Sequence, residues 1–120
     1  MKIPGPDHPI TIAPTPGRVR VTRDGAAIAD TTRALTLREA NYPPVQYIPR
    51  TDADRMLLIP SRTITHCPYK GDASYFSIKV GDRLIEDAIW SYEKPFDAVK
   101  EIAGHLAFYP DKVTIERLGG

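Results

Sequence analysis

The chain has one cysteine, Cys67, among its 120 residues. A lone thiol excludes an internal disulfide and any zinc site built from cysteines alone. Histidine is nearly as scarce. His8, His66 and His105 lie far apart and form no ligand pair, so no metal is expected. No apolar run approaches the roughly 20 residues that cross a bilayer as a helix, and no membrane partner is expected. The opening MKIPGPDHPITIAPTPG lacks the apolar centre of a secretory signal, which makes a reducing cytoplasm the expected setting. Neither sign of charge dominates: 16 Lys and Arg against 15 Asp and Glu leave a formal +1. That balance removes the electrostatic reason to expect nucleic acid.

Proline, by contrast, is plentiful. There are 12, and Pro4, Pro6, Pro9, Pro14 and Pro16 crowd the opening. The expectation is an extended proline-rich arm over residues 1–17 with little packing of its own, followed by one β-rich domain over residues 18–120. A hydrophobic fraction of 42% and a charged fraction of 26% suit a single small core.

Alternation of polar and apolar residues marks most of the remainder as strand. Arg18 to Arg23 and Ala27 to Asp30 flank Asp24-Gly25, a hairpin turn. Ala34 to Glu39 alternates again, and Glu39 shares the face of Leu35 and Leu37. A carboxylate there is either a wet strand end, the expected case, or a buried acid needing a partner. Val45 to Ile48 is a short strand between prolines. Thr51 to Leu58 reads as a short helix capped by Thr51, with Asp52 and Asp54 in its first turn. Arg62 to His66, Ala73 to Val80, Arg83 to Trp90, Leu106 to Tyr109 and Val113 to Arg117 are further strands, with a second short helix over Phe96 to Ile102.

The hairpin across Gly81-Asp82 has a two-residue loop with glycine first, as a type II′ turn requires. Its register opposes Ile78 to Ile85, Tyr75 to Ala88 and Trp90 to Ala73. Tyr75, Trp90 and Tyr92 then share one face beside the turn Cys67-Pro68-Tyr69-Lys70-Gly71. Both faces of the hairpin carry large apolar groups, which calls for a curved or folded-over sheet. The rings are either plain core or the walls of a hollow capped by that turn.

Several candidate chemistries sit here. A cation beside Cys67 lowers its pKa, and Lys70 lies three residues on. His66 is adjacent in sequence and on a strand points to the other face, so it makes a poor base for Cys67. A structural cysteine is the expected reading. Lys70-Gly71 resembles an anion hook but lacks the glycine-rich cradle of a P-loop. Asp52-Ala53-Asp54 resembles a magnesium-binding pair, yet residues two apart in a helical turn diverge, so a helix start is expected instead.

Gly25 with Ala29-Asp30-Thr31, Tyr47-Ile48-Pro49-Arg50 with Asp52, Cys67-Pro68-Tyr69-Lys70-Gly71 with Ala73 and Tyr75, and Trp90-Ser91-Tyr92 with Ala107-Phe108-Tyr109 occur in a familiar order. Over residues 18 to 117 the chain resembles the domain-of-unknown-function family 427, which also carries a nucleotidyltransferase label. The resemblance implies a mainly β, single-domain fold of curved sheets, Mss4-like or β-tent in type, with one or two short helices. Many relatives in that wider group bind zinc through paired Cys-x-x-Cys motifs. This chain has neither pair, so zinc does not carry over. The family's recurring residues match Glu39, Tyr47, Asp52, Lys70, Tyr75, Trp90 and Tyr92.

The combined expectation is a small-ligand site for an anionic or nucleotide-like molecule. Trp90, Tyr75, Tyr92 and Tyr47 line it, Lys70 and Arg50 hold the anionic group, and Glu39 or Asp52 orients the lysine. No cofactor is specified. An enzyme acting through Cys67, Lys70 or Glu39 is the alternative, and an interaction or homodimerisation module is the third.

Overall fold

A computed structural model of the chain describes residues 1–119. Ten strands form three antiparallel sheets: β1–β4–β5, β10–β2–β3 and β6–β7–β8–β9. The strands are β1 Ile10–Pro14, β2 Arg18–Arg23, β3 Ala26–Thr31, β4 Leu35–Glu39, β5 Val45–Tyr47, β6 Leu58–Cys67, β7 Gly71–Val80, β8 Arg83–Ser91, β9 Ala107–Phe108 and β10 Thr114–Leu118. The fold is mainly β, as expected from the alternation. Among the described residues, no helix is long and apolar enough to cross a membrane.

The proline-rich opening is not a free arm. Residues Ile10–Pro14 pair with β4 along their whole length, with Ile10 opposite Glu39 and Ile12 opposite Leu37. Ile10 and Ile12 pack on one face of the fold's second hydrophobic cluster. Prolines tolerate this because β1 is an edge strand, where a missing N–H costs no ladder bond. Further upstream, the backbone N–H of Lys2 donates to the Pro68 carbonyl at 2.7 Å.

The two expected helices are 3-10 turns. Arg50–Asp52 and Arg55–Leu57 are separated by an extended Ala53, at φ −103° and ψ 152°. Ala53 bridges to Ala29, and the Asp54 N–H donates to the Ile28 carbonyl at 2.8 Å. Those bonds to β3 replace the ones a continuous helix would have made. Thr51 is not the cap. Asp54 caps the second turn by accepting from the Met56 N–H at 3.1 Å. The segment Asp97–Ile102 is likewise 3-10, broken at Val99 with φ −129°, and it buries Val99 and Ile102.

The sheet β6–β7–β8–β9 buries both faces. Phe76, Ile78, Ile85, Ile89 and Phe108 turn towards an aliphatic core completed by Val19, Val21 and Ile28 of β2 and β3. Ala73, Tyr75, Trp90 and Ala107 turn the other way, towards Leu37, Tyr47, Val99 and Ile102. A reciprocal pair of backbone bonds between Ile48 and Leu106, each 2.8 Å, ties the end of β5 to the start of β9.

The β7–β8 hairpin begins as the sequence predicts. Gly81 has φ +58°, and Val80 opposes Arg83 and Ile78 opposes Ile85. Beyond that the register shifts. Phe76 meets Ile89 and Tyr75 meets Trp90, not Asp87 and Ala88. The cause is a bulge at Asp87, which adopts φ +47° while its N–H donates to the Ser77 hydroxyl at 3.0 Å. Pair sums move from 163 (78 plus 85) to 165 (75 plus 90), a slip of two. An even slip keeps Phe76 and Ile89 on one face and Tyr75 and Trp90 on the other, while Ala88 at the bulge joins the aliphatic core, and it brings Tyr75 directly opposite Trp90.

Candidate functional site

The β6–β7 turn sets the geometry. Cys67 pairs with Gly71, and Pro68, Tyr69 and Lys70 make the loop. Gly71 has φ +107°, a conformation that side chains rarely adopt, and an added Cβ would sit 3.5 Å from the Lys94 carbonyl oxygen. The Lys70 carbonyl accepts from the Phe96 N–H at 3.0 Å. So anchored, the turn sends the Lys70 side chain inward, where the residue is 8% exposed.

There it meets Glu39, at the inner end of β4 and 9% exposed. Lys70 Nζ donates to Glu39 Oε1, and His8 Nε2 donates to Glu39 Oε2 at 2.7 Å. Glu39 is therefore a buried acid with two partners, not the wet strand end expected of it. Burial alone would raise its pKa. The hydrogen bonds and charges of Lys70 and His8 outweigh that and hold the carboxyl below its ordinary range. His8 is itself stacked flat on Tyr69 of the turn, with ring centroids 3.9 Å apart.

Beside this cluster lies a hollow of about 250 Å³. Its floor and walls are Leu37 and Glu39 of β4, Val45 and Tyr47 of β5, Tyr75 of β7, and Trp90 and Tyr92 at the end of β8. Tyr42, Pro43 and Tyr109 complete it, with Lys70 as the one cation. The Trp90 indole N–H donates to the Tyr47 hydroxyl at 3.3 Å, and the indole lies against Tyr109 with centroids 4.5 Å apart. The Tyr75 hydroxyl bonds to those of Thr65 at 3.0 Å and Tyr109 at 3.2 Å. Burial pushes the phenols of Tyr47, Tyr92 and Tyr109 well above the ordinary value, so these rings stay neutral.

Two donors in the cavity keep unused capacity. The Lys70 ammonium carries three N–H groups, and among the described residues it donates to Glu39 alone. Its nitrogen lies 5.8 Å from the centroid of the Tyr92 ring. Tyr92 is 6% exposed, and among the described residues its hydroxyl makes no hydrogen bond. Both residues line the cavity, where an acceptor on a ligand can take the place of water.

Six of the expected ligand-binding residues thus come together: Glu39, Tyr47, Lys70, Tyr75, Trp90 and Tyr92. Arg50 and Asp52 do not join them. Arg50 lies in the first 3-10 turn, where it donates to Ser91 Oγ at 3.2 Å and to Glu93 Oε1 at 2.5 Å, its guanidinium 5.2 Å from the Phe76 ring centroid. That places it against the aliphatic-core side of the sheet. Asp52 accepts from the Thr31 hydroxyl at 2.6 Å and from Arg33 at 3.2 Å, at the end of β3. Asp52 is thereby taken up in holding the turn to β3. Cys67 is half-buried against the aromatic cluster, while His66 turns outward to Asp72 at 2.7 Å.

Sequence reasoning missed Leu37, Tyr42, Pro43, Val45 and Tyr109 as lining residues and His8 as a partner of Glu39. Leu37 and Val45 were within reach, because both lie on the inward face of strands already assigned. His8 was not, because it sits in a segment read as an arm.

The model of the family described as a domain of unknown function (DUF427) matches residues 11–119. The chain belongs to the DUF427 family. No curated protein matches the chain. The DUF427 match begins inside β1 and runs to the end of the described chain, so it takes in every strand and every lining residue of the cavity. That family description assigns no activity.

Proposed function

We propose that this DUF427 domain binds a small molecule carrying an oxygen acceptor, with Lys70 and Tyr92 as its hydrogen-bond donors and Trp90, Tyr75 and Tyr109 as its aromatic walls. The observation that carries the reading is the unused donor capacity of two residues that line one aromatic cavity. A ligand oxygen replaces water at these donors, and a hydrogen bond to a charged group nets about 1.5–3 kcal/mol. Flat rings favour a planar or apolar partner, and an ammonium favours an anionic or polarised oxygen. This is the anionic or nucleotide-like ligand class expected from the sequence, now with Glu39 and His8 behind the lysine and without Arg50. The reading also takes the fold as a relative of the Mss4-like or β-tent proteins, supported by its three antiparallel sheets.

Trp90 is the sole tryptophan, so its fluorescence reports the cavity directly. A titration with small carboxylates, amides and nucleotides is expected to give a saturable change that Lys70→Met abolishes and Tyr92→Phe weakens. A saturable change that both variants leave intact would remove the cavity from consideration.

A thiol or transfer reaction, of the kind a nucleotidyltransferase label suggests for Lys70 or thiol chemistry for Cys67, is the second reading. It rests on one observation: Cys67 is half-buried against the cavity's aromatic cluster, beside the turn that carries Lys70. The alkylation rate of Cys67 against pH tests its thiol form. A midpoint near the ordinary value of about 8.5 would leave that form without an activated nucleophile.

A further inference from the structure

We infer that the ligand is an apolar molecule headed by one carbonyl-type oxygen group, a monocarboxylate or its amide, with its body seated in a second hollow on the far side of Trp90. The inference rests on the binding reading above and narrows it.

The head is limited by charge. Among the described residues, Lys70 is the only cation lining the cavity, and Glu39 already neutralises it. Arg50, the other cation expected there, is held by Glu93 elsewhere. A phosphate monoester brings nearly two negative charges at neutral pH. Placed in this cavity it would face one shared ammonium, the Glu39 carboxylate and neutral phenols, with no second cation to offset its desolvation. One carbonyl oxygen, by contrast, can accept from a Lys70 N–H and from the Tyr92 O–H together, and it adds one negative charge as a carboxylate and none as an amide.

The body is limited by space. The head cavity holds about 250 Å³, at the low end for a small-ligand pocket. A second hollow of about 430 Å³ shares Tyr42, Pro43, Val45 and Trp90 with it. Its further walls are Pro44, Phe108, Pro110 and Ile115. Gln46 is the amide there, and its oxygen and nitrogen are already bonded to Thr15 at 2.6 Å and Thr36 at 3.0 Å. The second hollow thus offers mostly apolar surface, with the Gln46 amide already engaged through both its oxygen and its nitrogen. Four shared wall residues make one ligand crossing the Trp90 edge a better occupant than a separate partner, which would leave the head cavity unfilled.

The test is a Trp90 fluorescence titration of the full chain with the straight-chain acids from butyrate to heptanoate, with hexanamide, with AMP and with inorganic phosphate. Affinity is expected to rise about three- to fourfold per added methylene until the second hollow is filled. Ile115→Asn is expected to flatten that rise while butyrate still binds. Pro110→Glu, further out on the rim, gives the same readout should the first variant fold poorly by circular dichroism. Hexanamide binding as well as hexanoate, or the acid alone binding, both fit a carbonyl head and say which one. AMP or phosphate binding more tightly than hexanoate overturns the inference and leaves the binding reading standing, as does an affinity independent of chain length. A fluorescence change that follows protein concentration without any ligand assigns the second hollow to another copy and overturns the tail. No response to any compound removes both readings.

Discussion

The two faces of the β6–β7–β8–β9 sheet solve burial in different ways. One face meets Val19, Val21, Ile28, Ile48, Ile78 and Ile89, all essentially without exposure, in a core of branched aliphatic side chains. The other meets Tyr47, Tyr75, Tyr92, Trp90 and Tyr109, rings whose polar tips must find partners. Branched aliphatics interdigitate and leave no demand behind. Rings tied to one another by hydroxyl and indole bonds are held apart, and the space between them stays open. The contrast teaches that the cavity is a consequence of residue type: the same sheet carries a filled face and an unfilled one.

The largest effect should come from the filled face. Ile89→Ala removes a side chain with no exposure and no room to collapse, and is expected to cost about 3 kcal/mol. Urea unfolding checks the loss, and ligand-induced quenching of Trp90 should survive it. A variant this damaging that also abolished binding would mean the two faces are not separable.

On the open face the largest cost belongs to the buried ion pair. Lys70→Met leaves the Glu39 carboxylate with His8 alone and is expected to cost about 2 kcal/mol at neutral pH. Both partners are nearly buried, so solvent screening trims the figure only modestly. The double variant Lys70→Met, Glu39→Leu removes the stranded charge and should recover part of the loss in the same urea measurement. If the double variant were no more stable than Lys70→Met, the loss would come from the missing lysine's packing and not from a stranded charge.

Glu39 also ties stability to pH. Its folded pKa lies below its ordinary value, so its contribution is fully present above the unfolded value and is lost as pH falls through the folded one. Other depressed carboxyls, Asp30, Asp52 and Asp87, titrate in the same range. The difference between the wild type and Glu39→Gln removes the shared contribution of those other carboxyls. That difference is expected to shrink below about 4.5, where an unfolded glutamate takes up its proton. A difference that grew on acidification would reverse the assigned sign.

What could be read in advance follows the same division. Local rules gave the strands and the Gly81-Asp82 turn, because alternation and turn chemistry act over a few residues. The bulge at Asp87 was out of reach: it depends on a hydroxyl, that of Ser77, supplied by the facing strand. Face parity nonetheless held, since the slip is two residues, and with it the placing of Tyr75 and Trp90 together. His8 and Lys70 each lie 31 residues from Glu39; the β1–β4 pairing brings in His8, while Lys70 arrives on the β6–β7 turn of another sheet. That pairing was masked by prolines, although Ile10 and Ile12 already alternate. Arg50 was misplaced because an assumed helix stood where the chain makes two 3-10 turns separated by a bridge to β3.

The smallest effect is the sharpest probe of the open face, because it sets two buried phenols against each other. The Tyr47 hydroxyl accepts from Trp90, whereas that of Tyr92 has no partner among the described residues. Tyr47→Phe leaves the indole N–H unsatisfied and is expected to cost about 1 kcal/mol. Tyr92→Phe removes a polar atom that makes no bond and is expected to change stability by less than about 0.5 kcal/mol, or to raise it slightly. Binding should rank the other way, with Tyr92→Phe the more damaging to affinity for an oxygen-headed ligand. A phenol that contributes nothing to folding yet weakens binding when its oxygen is removed is one whose oxygen serves the cavity's occupant. Equal stability losses for the two variants would mean that Tyr92 is tied into the fold like its neighbours, and the open face would then be only a looser core.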